Sequence, residues 1–210
     1  MGYVIYIQFI RKESSMETLN LKGTQTATNL MKAFAGESQA YQRYMLFAET
    51  ARREGYMKMA EIFELTAANE QAHAKRFYMF LVNGGYNHEA IIIEADFPVS
   101  SGITQENLLS ASQGEHEEWS SLYKEAAETA EKEGFGGIAA AYRAIAKVEE
   151  HHEQRYLRLK AQMDQDEVFK RSEKIQWICM VCGYVHEGYE APKICPSCNH
   201  AQSYYKEKTE

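Results

Sequence analysis

Glu149-Glu150-His151-His152-Glu153-Gln154-Arg155-Tyr156 and Glu70-Gln71-Ala72-His73-Ala74-Lys75-Arg76-Phe77 share one pattern, Glu-x-x-His-x-x-Arg-aromatic, at an offset of 79 residues. On a helix, residues three apart lie on one face, so each Glu and His can point at the same metal site. One such motif is ordinary on a solvated helix. Two in register inside a repeat are not, and the register extends outward: Glu49-Thr50-Ala51-Arg52-Arg53-Glu54-Gly55-Tyr56 matches Glu128-Thr129-Ala130-Glu131-Lys132-Glu133-Gly134-Phe135 at the same offset.

Further upstream the offset falls to 78, pairing Asn29-Leu30 with Asn107-Leu108 and Gly36-Glu37 with Gly114-Glu115. The second copy therefore carries one extra residue between Glu115 and Glu128, which a helix absorbs as a π-bulge. Each copy reads as a helix pair, about 26–54 with 57–82 and about 105–133 with 136–163. These stretches contain no proline, are rich in Ala, Glu, Lys, Leu and Met, and space their apolar residues by three or four. Gly55 and Gly134 suit left-handed helix ends followed by an aromatic. The stretch Gly84–Gly102 is too long for a hairpin turn and is expected to cross along a four-helix bundle.

The first helix of each pair supplies Glu37 or Glu115, which completes one Glu from each of two helices and one Glu-x-x-His from each of the others. Glu118 follows Glu115 by three, whereas Ala40 holds the equivalent place in the first copy, so the expected site is asymmetric. Five carboxylates and two imidazoles suit iron or manganese. Tyr44 and Tyr123 lie two turns beyond Glu37 and Glu115, where they can orient a ligating carboxylate or serve as ordinary core residues. All four cysteines fall in the tail as Cys179-x-x-Cys182 and Cys195-x-x-Cys198, a spacing for one tetrahedral metal. Four thiolates satisfy zinc or a single iron; a redox centre next door favours iron.

The chain has 210 residues, 45% of them apolar and 25% charged, with a formal net charge of -7. That charge gives no electrostatic reason to expect nucleic acid or an anionic membrane as partner. The longest apolar run, Tyr3–Ile10, is far short of a membrane span and lacks the flanks of a secretory signal, so a cytoplasmic protein is expected.

Phe34-Ala35-Gly36-Glu37-Ser38-Gln39-Ala40, Glu70-x-x-His73, Gly114-Glu115-His116-Glu117-Glu118-Trp119, Glu149-x-x-His152 and the two cysteine pairs together resemble the rubrerythrins. The resemblance implies a mainly α fold: a ferritin-like four-helix bundle over 20–165, a linker over 166–173 and a rubredoxin-like domain over 174–210, with 1–19 as an N-terminal extension. It implies di-iron ligands Glu37, Glu70, Glu115, Glu118, Glu149 and His152, with His73 as an alternative that exchanges with Glu118, and a third iron on the four cysteines. It further implies a di-iron peroxidase that protects against oxidative stress by reducing hydrogen peroxide to water. Electrons would come from an NAD(P)H-linked reductase or a rubredoxin, and the protein would be a homodimer or larger. A ferritin-like protein that oxidises and binds iron is the alternative, against which the cysteine module argues. Asn199 stands where simple rubredoxins have glycine, a position that calls for a left-handed backbone.

Overall fold

The bundle is made of α1 (Gln25–Glu54), α2 (Met57–Asn83), a third segment composed of α3 (Thr104–Glu117), a π-helical turn (Glu118–Leu122) and α4 (Tyr123–Lys132), and α5 (Gly136–Asp164). The computed structural model describes residues 19–208, so the expected N-terminal extension lies outside the described residues except for Leu19. The π turn falls between Glu115 and Glu128, where the repeat counts one residue too many. Gly55 and Gly134, at φ 84° and 87°, end α1 and α4. After each glycine the chain turns back: the Tyr56 N–H donates to Ala51 O at 2.8 Å and the Phe135 N–H to Ala130 O at 2.7 Å.

The helix starts are held by residues from the other repeat. The Glu133 carboxylate accepts the N–H groups of Gln25 (3.0 Å) and Thr26 (2.8 Å) at the head of α1, beside Thr24 Oγ1, which accepts the Ala27 N–H. Its repeat equivalent, Glu54, accepts the Thr104 N–H (2.9 Å) at the head of α3. A carboxylate at these sites satisfies N–H groups that have no partner within the helix and complements the positive helix end.

Two apolar clusters divide the interior. One contains Phe47, Met59, Phe63 and Tyr156; the other contains Leu30, Phe77, Ile138 and Tyr142. The repeat aligns Phe63 with Tyr142 and Phe77 with Tyr156, and each cluster takes one member of each aligned pair. The crossover at 84–102 forms no helix or strand, and its Pro98 carbonyl accepts from Gln39 Nε2 at 3.1 Å.

The tail is a three-stranded antiparallel sheet of order β2-β1-β3, from β1 (Lys170–Cys179), β2 (Val185–Glu190) and β3 (Tyr205–Glu207). β1 begins inside the stretch expected as a linker, because Lys170 pairs with Glu190 across a bulge before regular pairing resumes at Ile175. The polar run Lys170–Lys174 shows none of the alternation that marks a strand in sequence. Trp177 and Tyr205 fill the small core, and Phe169 stacks at 6.3 Å on Tyr56 at the start of α2.

Candidate metal centres

Between the two apolar clusters the helices bring six of the seven expected bundle ligands together: Glu37, Glu70, His73 and Glu149 as one group, and Glu70, Glu115, Glu149 and His152 as a second. Glu70 and Glu149 belong to both, and their oxygens are divided. His73 Nδ1 lies 2.9 Å from Glu149 Oε1 and 3.1 Å from Glu70 Oε2, while His152 Nδ1 lies 2.8 Å from Glu149 Oε2 and 3.2 Å from Glu70 Oε1. Glu37 and Glu115 complete the groups, each with one oxygen 3.7 Å from the imidazole of its own set.

The donors fit metal better than they fit one another. Glu37 Oε2, Glu70 Oε1, Glu115 Oε2, both oxygens of Glu149 and His152 Nδ1 are buried without a hydrogen-bond partner, although several sit within about 3 Å of one another. Buried polar atoms left in this way are costly, and two cations with oxygen and nitrogen ligands remove the cost. As a bare set of side chains the group must take up protons instead. Burial and the Glu70 charge push Glu115 up to about 8. Burial pushes Glu37 well above the usual carboxylate range, reinforced by the charge of Glu70. Against the effect of burial, Glu149 and Glu70 hold His73 up at about 9, and Glu115, Glu149 and Glu70 hold His152 up at about 12. Glu70 is the exception: although burial opposes it, the nearby imidazoles of His152 and His73 hold it down at about 2.

The tyrosines bind across the repeats. Tyr44 Oη donates to Glu115 Oε1 at 2.7 Å and Tyr123 Oη to Glu37 Oε1 at 2.6 Å, so each fixes one lone pair of a carboxylate and leaves the other oxygen free to ligate. Of the two readings open from sequence, orienting a carboxylate is the one the contacts support.

Glu118 stands apart from the other six. It is outside both ligand groups and lines a cavity beneath the crossover, with its carboxyl pushed well above the usual range by burial and then by Glu115 and Glu149. His73 fills the corresponding place beside Glu37. The physical reason is charge: a fifth carboxylate crowded onto four would add repulsion, whereas an imidazole relieves it. Sequence reading also missed Arg43, whose guanidinium is the cation acting on Glu118, and the Trp119 Nε1–H bond to Glu153 Oε2 beside His116. Arg43 sits one turn past Gln39 on the cavity side of α1, but an Arg on a helix carries no signal until the crossover is known to cover it.

In the tail, Cys179 and Cys198 have Sγ atoms 3.7 Å apart, as do Cys182 and Cys195. A disulfide needs about 2 Å, whereas a tetrahedron with metal–sulfur bonds of about 2.3 Å has edges of about 3.8 Å. The pairs hang on matching turns: the Gly183 N–H donates to Cys179 O and the Asn199 N–H to Cys195 O, both at 2.9 Å. Gly183 and Asn199 both have positive φ, 76° and 62°, so the asparagine adopts the backbone that the glycine would. Among the described residues no helix is long and apolar enough to cross a membrane.

Fold and site together define a ferritin-like di-iron carboxylate protein joined to a rubredoxin-like four-cysteine domain. The family described as rubrerythrin matches residues 28–175, and the rubredoxin-like domain of rubrerythrin matches 177–206. The chain belongs to the rubrerythrin family. It is 51% identical to Rubrerythrin-1 of Clostridium acetobutylicum over 188 residues, 89% of this chain and 96% of that protein. It is 49% identical to a rubrerythrin of Porphyromonas gingivalis over 94% of this chain and 96% of the relative. Nigerythrin in its fully reduced, all-ferrous state superposes with a TM-score of 0.58 and 26% identity, covering 99% of this chain and all of that one. The cofactors are accordingly two iron ions in the carboxylate–imidazole site and one on the four cysteines, and the role is that of an oxidoreductase.

Proposed function

We propose that the protein is a peroxidase that reduces hydrogen peroxide to two waters, with electrons relayed from an NAD(P)H-linked reductase or a rubredoxin through the four-cysteine iron. The observation that carries this reading is the division of the Glu70 and Glu149 oxygens between two imidazole-bearing groups, an arrangement that would hold two metals side by side. Reduction of peroxide takes two electrons and two protons; a pair of ferrous ions, when bound, supplies the electrons and Lewis acidity toward the O–O bond.

The chain supplies the rest. Glu70 and Glu149 would hold both metals, Glu37 and His73 one of them, and Glu115 and His152 the other. Tyr44 and Tyr123 keep the terminal carboxylates in place, and the aromatic clusters on either side exclude bulk water. Glu118, partly buried beside the group, is placed to hold a proton at its carboxyl and pass it on. In the tail Cys182 is exposed, which gives a donor protein a path to the sulfur cage.

Cys182→Ser tests the relay. The bundle buries its own core, so the variant is expected to fold and its chemically reduced di-iron site to consume one equivalent of peroxide, while steady-state turnover with an external reductase collapses. Undiminished turnover removes the cysteine site from the mechanism. Absence of peroxide consumption by the reduced, iron-loaded wild type removes the peroxidase reading itself.

A further inference from the structure

Beneath the crossover a cavity of about 570 Å³ opens between α1 and the α3–α4 segment, and Glu118 and Tyr123 form part of its wall. A water occupies about 30 Å³ and hydrogen peroxide is larger by only one oxygen, so the space is far larger than that substrate needs and falls in the range that seats small organic ligands. Its lining is mixed: Ala33, Phe97, Pro98 and Leu122 give carbon surface, and Arg43 adds a guanidinium. The roof is tied down, since the Pro98 carbonyl accepts from Gln39 Nε2 at 3.1 Å and from Arg43 Nη1 at 3.4 Å. The Phe97 ring comes within 3.9 Å of where a Cβ on Gly36, the neighbour of Glu37, would stand.

We propose that this cavity seats the carbon skeleton of an organic hydroperoxide, with its –OOH end directed past Glu118 to the di-iron group. The inference rests on the peroxidase reading and widens its substrate class. In the reaction R–O–O–H + 2e⁻ + 2H⁺ → R–OH + H₂O, the O–O bond breaks and each oxygen gains one proton. The two electrons come from the iron pair as both ions pass from ferrous to ferric, and the protons arrive from solvent through the cavity mouth. Hydrogen peroxide, having no carbon group, makes no use of the apolar wall.

Ala33→Phe adds bulk to that wall and replaces no carboxylate or imidazole of the group. In the iron-loaded full chain, the ratio of kcat/KM for cumene hydroperoxide to that for hydrogen peroxide is expected to fall at least tenfold in the variant; differences in folding or iron loading cancel in the ratio. Calorimetric titration of the oxidised protein with the product alcohol, 2-phenyl-2-propanol, is expected to show saturable binding that weakens at least tenfold in the same variant. An unchanged ratio, or no saturable binding of the alcohol to the wild type, overturns the inference. If hydrogen peroxide is still turned over, that failure leaves the peroxidase reading standing; if the wild type reduces neither peroxide, the peroxidase reading has failed.

Discussion

Tyr123 reaches from the second repeat to Glu37 in the first, with its hydroxyl 2.6 Å from a carboxylate oxygen that is wholly buried. Its equivalent, Tyr44, makes the reverse connection to Glu115 at 2.7 Å. Each terminal carboxylate thus depends on a helix that does not carry it.

Replacing either tyrosine by phenylalanine leaves a buried carboxylate oxygen without its donor. Loss of such an outer partner typically lowers metal affinity by about 10- to 100-fold. Iron titration of chelator-treated Tyr123→Phe and Tyr44→Phe is expected to show that loss, while the far-ultraviolet dichroism stays that of the wild type. Equal affinity in variant and wild type would mean the hydrogen bonds serve packing alone.

The shared carboxylates should matter more than the terminal ones. Glu149→Ala removes an oxygen from both ligand groups, whereas Glu37→Ala removes donors from one. Iron content after purification and peroxide turnover are both expected to fall further for Glu149→Ala. The opposite order would contradict the division of oxygens between the two imidazoles.

Protons and metal compete for the same atoms, and the sign of the pH effect follows. With metal removed, Glu115 has a folded-state pKa of about 8 against an ordinary 4.5, and His73 one of about 9 against 6.5. Between about pH 4.5 and 9 the folded protein therefore binds more protons than the unfolded chain, and its stability declines as pH rises through that window. Glu70, held at about 2, acts in the other direction only below about pH 4.5 and does not enter. Metal binding expels these protons and so strengthens with pH. The gap in Tm between iron-loaded and chelator-treated protein is expected to widen from pH 6 to pH 8.5; a gap that narrows refutes the proton inventory.

His73 stands beside Glu37, and Glu118 waits outside the ligand groups. The higher charge of ferric iron favours the anionic Glu118, and ferrous iron accepts the neutral imidazole of His73. Crystal structures of the oxidised and reduced protein are expected to show Glu118 and His73, respectively, at that iron. One ligand set in both states would reduce Glu118 to a lining residue of the cavity.

The repeat made most of the bundle legible. Helix pairs, turn glycines, the crossover and even the position of the π turn follow from one offset that changes from 78 to 79, because a duplicated unit aligns residues that must occupy equivalent places. The ligands were legible for the same reason, since Glu-x-x-His has chemical meaning only when it recurs in register. What could not be read were relations across the repeats: which tyrosine serves which glutamate, that Glu54 and Glu133 cap distant helices, and that Phe97 and Arg43 enclose a cavity. Such pairings depend on how the halves dock, and a periodic sequence encodes the face of a helix without naming its neighbour. The polar start of β1 escaped for a different reason, since its pairing at Lys170 is a backbone matter.

The exchange of caps between Glu54 and Glu133 makes the two helix pairs depend on each other. Each helix pair lends a carboxylate to the start of the other's first helix, and neither holds all the donors of a complete metal group, because the shared Glu70 and Glu149 come one from each pair. The bundle thus has the arrangement of a dimer of helix pairs carried in one chain. A single chain lets the copies differ: the second has one more residue, at the π turn, and Glu118 where the first has Ala40, so the two metal positions need not be equal.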